Sequence, residues 1–87
     1  MGLLDVLRRC HELSRASQDA MYSSRGISEI VAVLERGIGA IERGTELNRH
    51  ELKLLFAPTG DLQETSITNG WAEEYLSLAA SFDGLIG

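Results

Sequence analysis

Apolar residues recur along this chain in steps of three and four. In the first segment they fall at Leu3, Val6, Leu7, Cys10, Leu13, Ala16 or Ser17, Ala20 and Met21. That spacing puts one stripe on a helix and predicts a buried face running to about Tyr22. Ser23, Ser24, Arg25 and Gly26 interrupt it, and Gly26 suits a helix C-terminus. The second segment repeats the pattern at Ile27, Ile30, Val31, Leu34, Ile38 and Ile41, with Ser28 or Ser24 as its cap and Gly44 as its end. Gly37 and Gly39 lie inside it. Each costs a helix interior about 1 kcal/mol relative to alanine, so close approach of a neighbouring helix or a kink is expected there.

The third segment is short. Asn48 and Glu51 have capping-box spacing, and Leu47 and Leu52 stand where a hydrophobic staple puts them. Leu52, Leu55 and Phe56 give it an apolar face, and Pro58 disfavours helix at Ala57. The fourth begins around 69–71, capped by Asn69 or Thr68. It carries Trp71, Tyr75, Leu78, Phe82 and Leu85 on one stripe, widened by Ala72, Leu76 and Ala79. Gly84 is its expected end, with Leu85 and Ile86 folding back. No stretch alternates with period two for long. The pattern predicts an all-α fold: a single domain over 1–87, a small antiparallel bundle of about four helices.

Residues 57–69 do not fit a helical stripe. Links in bundles usually run about 2–8 residues, and longer ones are often functional. This segment reads as an ordered loop before the last helix, pinned by Leu62 and Ile67, with one helical turn at 61–65 from the N-cap spacing of Asp61 and Glu64.

Charge changes the picture. Residues 1–53 hold all eight basic groups and eight acids, whereas 54–87 hold Asp61, Glu64, Glu73, Glu74 and Asp83 with no lysine or arginine. The net charge of −5 therefore lies in the last third. Those acids either meet the basic residues of the first part or present a negative field. Such a field repels nucleic acid and anionic lipid and favours basic protein surfaces. Acids beside aromatics make a protein-binding patch, so Asp61, Glu64, Trp71, Glu73, Glu74 and Tyr75 are the candidate partner-binding residues.

Enzymatic chemistry has little to stand on. His11-Glu12 and His50-Glu51 begin like a zincin helix, but Arg15 and Leu54 stand where the second histidine belongs. RGIGAIERG matches no phosphate-binding loop, and no nucleophile elbow occurs. No catalytic, metal or cofactor residues are expected, and no nucleic-acid partner. No window reaches the roughly 20 apolar residues of a membrane span, and the start shows neither a secretory pattern nor the Ser or Thr that myristoylation wants at position 6. The single Cys10 precludes an internal disulfide and fits a cytoplasmic setting.

The stretch LLFAPTGDLQETSITNGWAEEYLSLAASFD resembles the C-terminal part of small helical bacterial proteins from toxin–immunity loci. PTG, the LQ pair and NGW followed by two acids carry the resemblance, over about a third of the chain. It implies a non-catalytic immunity protein that binds and blocks a toxin domain, and the acidic last third suits a basic toxin. The alternative is a homo-oligomeric helical module whose Trp71 stripe or Gly37/Gly39 face packs on its own copy.

Overall fold

A computed structural model describes residues 2–20 and 25–86. Met21, Tyr22, Ser23 and Ser24, which the sequence assigns to the end of one helix and the cap of the next, lie outside the described residues. Among the described residues five helices follow one another: α1 (Leu3–Arg15), α2 (Ile27–Arg43), α3 (Arg49–Leu55), α4 (Asp61–Asn69) and α5 (Ala72–Ile86). Among the described residues there is no strand.

α1 and α2 are antiparallel. Arg8 pairs with Glu42, and the His11 Nε2 atom lies 3.1 Å from Glu35 Oε2, so residues rising along one helix meet residues falling along the other. Their stripes face each other: Val6, Leu7 and Cys10 against Ile30, Val33 and Leu34, all buried. Gly37 is buried where α1 and α3 converge on α2. A Cβ there would stand 3.2 Å from Leu7 and 3.4 Å from Leu52, so close helix approach accounts for this glycine. One hydrophobic cluster joins these residues to Leu52, Leu55, Phe56, Leu62, Trp71, Tyr75, Leu78, Phe82 and Ile86, so every helix contributes. The radius of gyration, 11.7 Å, matches the ~12 Å of a close-packed chain this long.

Three expectations change. α1 stops at Arg15 rather than near residue 22, because tertiary contacts claim the residues beyond it. The Ser17 hydroxyl turns back onto Leu13 O at 2.7 Å and receives the Trp71 indole N–H at 2.9 Å. The backbone of Gln18 is held by Asn69. Asp19 Oδ1 accepts from Ile27 N at 2.7 Å. Gly26, not Ser28, takes the cap position of α2, and the side chain that receives a first-turn N–H is Asp19, eight residues back from Ile27.

The loop expected over 57–69 is a tight turn followed by a full helix. Gly60 N donates to Ala57 O at 2.9 Å, Thr59 takes a left-handed φ of 57°, and α4 runs nine residues from Asp61. Within α4 only Leu62 is a buried apolar residue; Ile67 is 56% exposed and pins nothing. Finally, Gly84 does not end the last helix: α5 continues through it to Ile86, which is buried, and Arg49 Nη1 donates to Ile86 O at 2.9 Å. The third and second helices start and stop where the sequence places them. Asn48 accepts from Glu51 N at 3.1 Å, and Gly44 closes α2 at φ 69°.

Among the described residues no helix is long and apolar enough to cross a membrane.

Candidate functional site

The six candidate residues do not form one patch. Trp71 and Tyr75 project into the core, 9% and 2% exposed. Trp71 meets Tyr75 edge-on with ring centroids 6.3 Å apart, and Tyr75 stacks toward Phe56 at 6.2 Å. The Tyr75 hydroxyl donates to Phe56 O at 3.2 Å, and burial pushes its pKa above the ordinary phenol range. Both aromatics are therefore mainly internal packing and not part of an exposed patch.

Asp61 is also drawn in, at 8% exposure. Its carboxylate accepts from Arg25 N at 3.3 Å, with the Arg25 guanidinium at 3.7 Å. It is the first residue of α4, and Gly60 takes the cap position the sequence offered to Asp61. Glu74 reaches across to α1. Arg9 Nη2 donates to Glu74 Oε1 at 2.9 Å, and Arg9 also pairs with Glu12. The hydrogen bond from Arg9, followed by its charge, holds the Glu74 carboxyl below the usual range.

Two of the five acids in the last third are thus compensated by arginines from the first part. Glu64, Glu73 and Asp83 form no ion pair among the described residues. Glu73 and Asp83 are exposed, and Glu64 is half-buried.

Sequence reasoning did not single out the outer face of α5. The core stripe of this helix is Tyr75, Leu78, Phe82 and Ile86. Leu76 lies outside it and is 61% exposed. A groove of about 640 Å³ opens between α5, the end of α3 and the turn before α4. Its floor is aromatic (Phe56, Tyr75, Phe82), Leu76 and Ala79 make one wall, and Ala57 and Pro58 make the other. Phe56 and Phe82 are stacked at 4.0 Å, so this floor is rigid. Lys53 and Asp83 also line the groove and make no ion pair with each other. The signal was present in the sequence. The last segment has apolar residues at 76, 79 and 80 beside its main stripe, too many for a small core to cover, and Leu85, expected on that stripe, is 43% exposed. A wider hollow of about 850 Å³ beside Thr45–Arg49 is bounded by one loop, so it offers a guest a single wall.

Cys10 is buried, and desolvation first, then the charge of Glu74, pushes its thiol up to about 12, far from the reactive thiolate. Among the described residues no three His, Cys, Asp or Glu side chains converge on a metal-sized space.

Comparison of the chain with protein-family models, with curated proteins and with solved structures gives no match.

Proposed function

We propose that this chain is a non-catalytic protein-binding module of the bacterial cytoplasm that captures a partner with a basic surface, in the manner of an immunity protein blocking a toxin domain. One observation carries the reading: on the outer face of α5, the exposed Leu76 lies between Glu73 and Asp83, two acids with no cation partner among the described residues. Exposed apolar area rimmed by one sign of charge is how a protein surface selects a partner of the opposite sign. Asp61, Trp71, Glu74 and Tyr75 then act indirectly, by fixing the position of α5.

The test is capture from a lysate of the source organism, identification of the bound protein, and titration calorimetry with it in pure form. Reversing Glu64 and Glu73 to lysine weakens binding at least about tenfold while the melting temperature holds. An unchanged affinity rejects the acidic surface as the recognition element.

A second reading, a homo-oligomeric helical module, is favoured by four large apolar residues that stay exposed among the described residues: Leu54, Ile67, Leu76 and Leu85. The faces first offered for it are already used, since Trp71 and Gly37 are packed inside. Light scattering that returns a monomer at tens of micromolar removes this reading.

A further inference from the structure

Building on the protein-binding reading, and giving it a mode of recognition, we infer that the groove between α3 and α5 receives a short amphipathic helix of the partner, apolar on one face and basic along its edges.

The shape sets the secondary structure of the guest. From Leu76 to Ile86 the α5 wall is about 15 Å long, close to three helical turns. That length accepts anchors at i, i+3 or i+4, and i+7 of a docking helix. An extended peptide gains no ladder here. Both walls belong to helices or a closed turn whose backbone groups bond internally, so no sheet edge is available. Phe56 and Phe82, stacked on each other and almost fully buried, close the bottom of the groove, and Leu76 is the one large apolar side chain among its described lining residues that stays mostly in solvent.

Charge sets the guest's polarity. Glu73, Leu76, Ala80 and Asp83 fall at i, i+3, i+7 and i+10, on one face of α5. Asp83 lines the groove together with Lys53, and Glu73 lies beyond the lining on the same face of α5, so an acid stands at each end of this strip. A guest with lysine or arginine flanking its apolar residues satisfies both ends. A second copy of this chain does not. Pairing α5 with itself in the antiparallel sense sets Glu73 against Asp83 of the copy, parallel pairing aligns like with like, and each copy carries a net −5.

The probe is a labelled synthetic helix of about sixteen residues, long enough to fold on contact, with leucines on one face and lysines on its edges. Its control keeps the leucines and replaces lysine by glutamate. Fluorescence anisotropy against the full chain at low salt is expected to show the basic peptide binding at least about tenfold more tightly than the acidic one. Amide shift changes cluster at Ala57, Leu76, Ala79 and Asp83. Leu76→Ser weakens binding at least about fivefold, and Asp83→Lys removes most of the preference for the basic peptide. Because Leu76 and Asp83 are exposed, neither change disturbs folding.

No binding up to about 1 mM overturns the inference, as does equal binding of both peptides or a shift pattern centred elsewhere. Sedimentation equilibrium that shows a dimer abolished by Leu76→Ser overturns it in favour of a second copy. A captured partner that depends on Glu64 and Glu73 but ignores Leu76→Ser removes the groove alone and leaves the protein-binding reading intact. Groove binding of the basic peptide beside a partner indifferent to Glu64 and Glu73 does the reverse.

Discussion

α2 buries Ile30, Val33, Leu34, Gly37 and Ala40 along one face and turns its charges outward, whereas α4 buries one apolar residue, Leu62, together with Asp61, Thr65 and Ser66. α2 is the helix any chain with its periodicity would form. α4 is built from Thr65, Ser66, Thr68 and Asn69, all poor helix formers, and has no continuous stripe. It is held at both ends by the segment that follows α1. At its start the Asp61 carboxylate meets Arg25. At its end the Asn69 side chain accepts from Gln18 N and donates to Gln18 O, both at 2.8 Å, and donates to Thr65 O at 2.9 Å. Gly70, at φ 82°, then turns the chain so that Trp71 can reach Ser17. Apolar area can hold a helix without specifying its neighbours. Directional hydrogen bonds hold one only where a particular partner stands. α5 is held by its buried stripe, whereas α4, which leads into it, is positioned by the second kind.

Five changes test that contrast, and they differ in size. Leu34→Ala removes a fully buried side chain from α2 and is expected to cost about 3 kcal/mol, lowering the melting temperature of the whole domain. Unfolding followed by Trp71 fluorescence and by circular dichroism should coincide; separate transitions mean that the α1–α2 hairpin and the α4–α5 corner are distinct cooperative units.

Asn69→Asp is the sharper probe of the corner. It keeps the acceptor for Gln18 N, loses both donated bonds and adds a negative charge at a helix C-terminus. The expected cost is about 2 kcal/mol, as large as for Asn69→Ala. Native-state hydrogen exchange should show protection lost first in α4 and kept in α2. Equal loss in both erases the distinction.

Gly70→Ala places a side chain at a left-handed position and should cost about 1–2 kcal/mol, although nothing within 4 Å obstructs the new Cβ. In the opposite direction, the Thr65 hydroxyl is buried without a hydrogen-bond partner among the described residues. Thr65→Val keeps its shape and should stabilise the chain by about 1 kcal/mol in a denaturant titration.

Acid gives the smallest effect. The Glu74 carboxyl is held below its ordinary pKa by Arg9, so the pairing stabilises the fold above the unfolded-state pKa. That contribution fades as pH falls through the lower folded-state value. Arg9→Gln should return Glu74 to the ordinary carboxylate range in an NMR titration and flatten the acid limb of the stability profile. An unmoved Glu74 removes the link between α1 and α5.

The amino-acid pattern by itself determined the all-helical class, the spans of α2 and α3, the Tyr75, Leu78 and Phe82 part of the α5 stripe and the buried places of Leu7 and Leu34, because burial of a periodic face is a local property written in steps of three and four. It also located the surplus of negative charge. Tertiary structure alone decided that the helical turn expected at 61–65 continues to Asn69 and that α1 yields at Arg15. It also turned Asp61 and Glu74 inward to arginines, left Glu73 and Asp83 facing water, and opened a groove over Phe56 and Phe82. Each of these depends on which distant side chain arrives beside a given backbone group or carboxylate. Such a pairing between residues 8 to 65 positions apart has no signature in the spacing of neighbours along the chain.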